Sequence, residues 1–142
     1  MGKKAPAKKV CFVVGPIGEP DTDTRIHADW LLEEIIEPVM NEWPDFEVIR
    51  ADKISRPGMI DAQVIPHLLD AELVIADLSA LNANAFYEIG IRHMAQKPVI
   101  HMQLNEDEIP FDLTLYRAIK FSRRKPGDLK IAPRAEIAKR EK

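Results

Sequence analysis

Lys9-Val10-Cys11-Phe12-Val13-Val14-Gly15-Pro16 is an unbroken, largely β-branched apolar run that stops on a glycine and a proline. A strand with one buried face alternates apolar and polar residues. A run without alternation belongs to a strand covered on both faces, as in a parallel sheet. The same signature returns at Glu72-Leu73-Val74-Ile75-Ala76-Asp77, which ends on an aspartate.

Working outward, a polar loop containing Gly18 and Pro20 leads to a helix that Asp23 or Thr24 can cap. Its apolar stripe, Ala28, Leu31, Leu32, Ile35, Ile36 and Val39, has a spacing near 3.6, and Pro38 is expected to kink or shorten its last turn. Phe46 to Ile49 reads as a second strand, and Pro57-Gly58 as a break. A helix is expected from about Met59 to Leu69, with Pro66 inside it, and another from about Ala85 to Gln96, capped by Asn84. Pro98 to Met102 and Ala118 to Phe121 supply the fourth and fifth strands. Strands alternating with helices at this spacing predict an α/β fold, with right-handed crossovers and helices on both faces of a single five-stranded parallel sheet. By analogy with doubly wound folds, the strand order is flavodoxin-like, 2-1-3-4-5.

The 142 residues fit one domain, expected over 9–122 between basic flanks at 1–8 and 123–142. The net charge of −3 hides an asymmetry: residues 1–9 carry +4 and residues 123–142 carry +5, which leaves −12 between them. A core so acidic repels phosphate backbones, so its cleft is not expected to track along DNA or RNA, and nucleic acid is left to weak contacts with the tails. The only cysteine, Cys11, allows neither an internal disulfide nor a cysteine-based metal cluster, and is expected to be buried. His27, His67, His93 and His101 lack paired ligand spacing, so no metal site is expected. No apolar run reaches the ~18–20 residues that span a bilayer, and the start lacks a signal-peptide pattern, so a cytoplasmic location is expected.

In a doubly wound sheet, ligands bind beyond the carboxyl ends of the strands. The informative loops follow strands one and three. Loop one, Gly15-Pro16-Ile17-Gly18, can bring backbone close to a ligand, but it is neither Gly-x-Gly-x-x-Gly nor a Walker P-loop. Arg25 beyond it is either a phosphate or ribose contact or an ion-pair partner of nearby acids; His27 reads as a polar helix residue. Asp77 ends strand three, where its carboxylate can accept sugar hydroxyls or cap the following turn. Asn82 and Asn84 each offer an amide beside the helix start. On that helix Phe86, Ile89, Gly90, His93 and Met94 share a face and read as core, with Gly90 allowing close helix–sheet packing. Glu88 falls on the opposite side, as a first-turn glutamate paired with Arg92 at i+4.

Ala76-Asp77-Leu78 followed by Asn82-Ala83-Asn84-Ala85-Phe86-Tyr87-Glu88-Ile89-Gly90 resembles the nucleoside 2-deoxyribosyltransferase-like superfamily, and more closely its bacterial TIR-like, predicted nucleotide-binding branch. Gly15-Pro16, Arg92-His93 and the closing Ile109-Pro110-Phe111-Asp112 with Arg117 extend the likeness over residues 10–121. The resemblance implies an N-glycosidase or N-ribosyltransferase acting on a nucleotide, nucleoside or NAD, without a cofactor. Glu88 would attack the anomeric carbon, Asp77 would hold the sugar or the leaving base, and loop one, Arg25, Asn82, Asn84 and Tyr87 would bind substrate. Three positions depart from the transferase pattern: Phe12 stands where a tyrosine orients the glutamate, Asn82 where an aspartate is usual, and Ala85 where a threonine grips the substrate. These departures leave the substrate open. They also leave room for a nucleotide sensor that does not react, or for an NADase that works only as an assembly of copies.

Overall fold

The structure, a computed structural model, describes residues 8–56, 59–79, 82–104 and 118–121. Most of the two basic flanks and the closing segment 109–117 lie outside the described residues. Strands β1 (Lys9–Val14), β2 (Phe46–Arg50), β3 (Leu73–Asp77) and β4 (Val99–Leu104) form a parallel sheet in the order β2-β1-β3-β4, and β5 (Ala118–Phe121) pairs parallel with β4. β1 pairs with both β2 and β3, with Phe12 opposite Ile49 on one side and Val74 on the other.

The pleat of β1 divides its apolar run between two cores. Cys11 and Val13 join Leu73, Ile75, Ile100 and Met102 beneath the first helix. Phe12 and Val14 join Val74 and Ala76 on the other face, under Leu68 and Ile89 from the later helices. Phe12 is therefore core, its ring 5.1 Å from that of His67.

Helix α1 (Asp23–Leu31) is capped by Thr22, whose Oγ1 accepts from the Arg25 N–H at 3.2 Å. It does not end at Pro38. A π-helical turn (Leu32–Ile36) runs into α2 (Glu37–Met40), with the Glu37 N–H reaching back to the Leu32 carbonyl. The wider turn accommodates a proline that has no N–H to give, and Ile35, Ile36, Val39 and Met40 all stay buried.

Helix α3 (Val64–Asp70) begins five residues later than its apolar pattern predicts. Pro66 is its third residue, where the missing N–H has no intrahelical partner to lose. Asp61 fixes that start: its Oδ1 accepts from the N–H groups of Gln63 and Val64, and its Oδ2 from the Ser55 hydroxyl. Helix α4 (Ala83–Ala95) starts two residues early, because Asn82 rather than Asn84 is the cap, its Oδ1 accepting from the Ala85 N–H. Its buried stripe is Ala85, Glu88, Ile89 and Arg92. Met94 is 82% exposed, and a Cβ on Gly90 would meet nothing within 4 Å, so neither plays the expected packing role.

The chain steps from β1 outward to β2 and then back across β1 to β3. The cleft-forming reversal therefore falls between β1 and β3, where Gly15 at φ +151° lies against Asp77. A Cβ on Gly15 would sit 2.8 Å from Asp77 Cβ and 3.1 Å from its carbonyl oxygen. Gly15→Ala is expected to lower stability by about 2–3 kcal/mol, through strain and overpacking together. A urea midpoint unchanged from wild type would show that loop one does not hold this conformation.

Candidate functional site

Three chain segments converge at the carboxyl edge of the sheet. Loop one follows β1, a 3₁₀ turn (Ala51–Lys53) follows β2, and the first turns of α4 follow β3. Between them lies a cleft of about 290 Å³. Gly15, Pro16, Ile17 and Gly18 line one wall; Asn82, Asn84 and Glu88 come from α4; Asp52, Arg56, Met59 and Ile60 close the far side. The sequence reading placed eight of its ten candidate residues on loop one and the 82–88 segment, and seven of those eight line this cleft.

Glu88 is in the second turn of α4, not the first, and only 6% exposed. It shares the buried stripe because Ala85, Ile89 and Arg92 lie three and four residues away along the same face. Among the described residues no side chain or backbone group pairs with its carboxyl. Burial alone pushes its pKa from the ordinary 4.5 to about 7. Arg92 does not offset this. Its guanidinium is fully buried and turned the other way, Nη1 donating to the Leu68 carbonyl at 3.1 Å and Nη2 to that of Pro98 at 2.8 Å.

Three residues expected in the site do not line the cleft, and two of them are committed elsewhere. Arg25 donates from Nε and Nη2 to the Gly18 carbonyl at 3.2 and 2.9 Å, and its Nη2 stands 3.8 Å from Asp52 Oδ2. It clasps loop one from behind and does not line the cleft. Asp77 is buried and also outside the lining. Its Oδ2 meets His27 Nε2 at 2.8 Å, and its Oδ1 accepts from the Ser79 N–H at 2.9 Å. The His27 ring is in turn stacked on Phe121 at 5.9 Å. Asp77 thus ties α1 to the end of β3 and to the segment leading into α4, which makes it a positioning residue. Tyr87, the third, is 63% exposed and is not among the residues lining the cleft.

Asp52 and Arg56 are among the lining residues that motif reading passed over. The signal was present: both follow β2, and every parallel strand delivers its next residues to the ligand-binding edge. Arg50, the last residue of β2, holds Asp52 through Nε to Oδ1 at 2.7 Å and Nη2 to Oδ2 at 2.9 Å, and pairs with Asp29 at 2.8 Å. Burial pushes the Asp52 carboxyl up, but the hydrogen bonds and charge of Arg50, helped by Arg25 and Lys53, outweigh it and hold it below the usual carboxylate range. Two of the carboxylates lining the cleft therefore have opposite tendencies. Asp52 stays ionised, while Glu88 is balanced near neutral pH.

Among the described residues there is no cluster of metal-ligating side chains, and no helix is long and apolar enough to cross a membrane. No protein-family model matches the chain, and no curated protein matches it.

Proposed function

We propose that the cleft binds a nucleotide or nucleoside and that Glu88 breaks its N-glycosidic bond. The observation that carries this reading is a buried carboxyl, unpaired among the described residues, set in the wall of a small cleft at the carboxyl edge of a parallel sheet. A nearby carboxylate stabilises the oxocarbenium-like transition state of glycosyl transfer and can capture it as an ester. In the proposed step a Glu88 oxygen forms a bond to the anomeric carbon. The C–N bond breaks, and its electron pair leaves with the base, which takes a proton from solvent. Water then cleaves the glycosyl ester, giving the free sugar or sugar phosphate and restoring the carboxylate.

The volume, about 290 Å³, is at the foot of the ~300–1,000 Å³ range of ligand pockets, which suits one nucleotide unit better than the two of NAD. The likeness of residues 76–90 to the nucleoside 2-deoxyribosyltransferase-like and TIR-like proteins supports the same chemistry. It also supports a flavodoxin-like, five-stranded reading of the sheet and a cytoplasmic, cofactor-free enzyme. The test is to incubate the purified chain with nucleosides, 5′-nucleotides and NAD and to follow free base by chromatography. Base release from a mononucleotide or nucleoside is expected. Saturable binding with no release at any protein concentration would overturn the enzyme and leave a sensor.

A further inference from the structure

Asp52 is held in a fixed orientation in the wall of the cleft. Arg50 takes one lone pair on each of its oxygens, fixing the plane of the carboxylate, and Arg50 is itself buried and anchored to Asp29. A carboxylate has about four acceptor positions, so two remain for a ligand. An ionised carboxylate accepts hydrogen bonds and donates none, and it repels phosphate. The ligand group it takes must therefore be a hydrogen-bond donor and not an anion. On a nucleotide these donors are the sugar hydroxyls and the base amines. In the proposed reaction Glu88, which lines the same cleft, has to face the anomeric carbon, and the 2′-hydroxyl is carried by the adjacent carbon. A sugar seated at Glu88 can turn its hydroxyl edge to Asp52, which lines the same cleft.

We propose that Asp52, fixed by Arg50 at the end of β2, accepts the ribose 2′-hydroxyl and makes the cleft selective for ribonucleotides over their 2′-deoxy counterparts. The inference rests on the nucleotide reading above and adds the sugar class to it. A site built to bond a hydroxyl discriminates strongly against a ligand lacking it, since the analogue leaves the carboxylate desolvated and unpaired.

The experiment is calorimetric binding of AMP and dAMP, GMP and dGMP, CMP and dCMP, and UMP and dUMP to the full chain. Wild type and Asp52→Asn are each measured with Glu88→Gln added to prevent turnover. In the wild-type background, the ribonucleotide of any pair that binds is expected to bind about tenfold to a hundredfold tighter, the value of one hydrogen bond to a charged group. In Asp52→Asn the two members should bind within about threefold of each other, with the circular dichroism spectrum of a folded protein. Equal affinities in the wild-type background, or a preference that survives Asp52→Asn, would overturn the proposal, because a purely structural Asp52 changes stability without touching the ratio. If Asp52→Asn does not fold, the wild-type ratio decides alone. If none of the eight compounds binds, the nucleotide reading falls, and this inference with it.

Discussion

Glu88→Gln is expected to cut base release by on the order of a thousandfold or more, while making the protein more stable above neutral pH. The two effects have one cause. A carboxylate buried without a partner is both reactive and costly. Its folded pKa is about 7 against an ordinary 4.5. The folded state therefore holds the proton more tightly than the unfolded chain, and stability falls as pH rises between those values. The contribution is fully present below about pH 4.5 and is lost by the time pH has passed about 7, a difference of roughly 3 kcal/mol. Glutamine has no charge to desolvate. The variant should match wild type near pH 4.5 and melt several degrees higher at pH 8–9, where about 1 kcal/mol corresponds to a few degrees for a domain of this size. Activity runs the opposite way. A nucleophile must be ionised, so kcat/KM of the wild type should rise with pH through about 7 and level off above it. A rate that falls through that range would assign Glu88 the role of general acid, and unchanged base release in Glu88→Gln would remove it from the chemistry. A melting temperature indifferent to the substitution at pH 9 would mean that the carboxyl is solvated.

How much of this was legible beforehand depends on which interactions decide each feature. The sheet was readable because β1 and β3 bury both faces, and a strand buried on both faces has no polar alternation to confuse with anything else. Helix starts were less readable. Thr22, Asp23 and Thr24 are all competent caps, as are Asn82 and Asn84, and hydrogen-bond geometry selects between them, not residue type. Loop one and Asn82-Ala83-Asn84 were found because glycines and paired amides stand out at strand ends. Asp52 was not, since Arg50-Ala51-Asp52-Lys53 looks like an ordinary charged surface turn. The face of α4 was misread in part, since Phe86 and Ile89 do pack in the core, and for a different reason. Hydropathy turns charged residues outward by construction, so it chose Phe86, Ile89, Gly90, His93 and Met94. The buried stripe is defined instead by two charged side chains, Glu88 and Arg92, with Ala85 and Ile89. One faces a cleft and the other faces two carbonyls, and neither destination lies within the helix's own sequence.

Arg92→Met is expected to destabilise the fold by about 2–4 kcal/mol while leaving the titration of Glu88 where it is. Leu68 is in the last turn of α3, just beyond His67, whose carbonyl takes the N–H of Ala71, and Pro98 leads into β4. Arg92 satisfies both carbonyls from one guanidinium, and its positive charge suits the negative end of α3. Methionine fills similar space but donates nothing: the Leu68 carbonyl loses its donor at about 1–3 kcal/mol, and Pro98, which keeps the Val74 N–H at 3.2 Å, loses one bond of two at about 1 kcal/mol. Removing a buried charge recovers some desolvation, which is why the loss should not greatly exceed that sum. Arg92→Lys keeps the charge but not the fork, can serve one carbonyl at a time, and should fall between the two. The lysine variant also separates two geometries. If Arg92 were the i+4 partner of Glu88, weakening it would raise the Glu88 pKa and move the activity limb to higher pH. With the guanidinium turned toward α3 and β4, the limb should stay within a few tenths of a pH unit of wild type, even as the urea midpoint drops. A limb displaced by a full pH unit would show that Arg92 acts on the cleft after all.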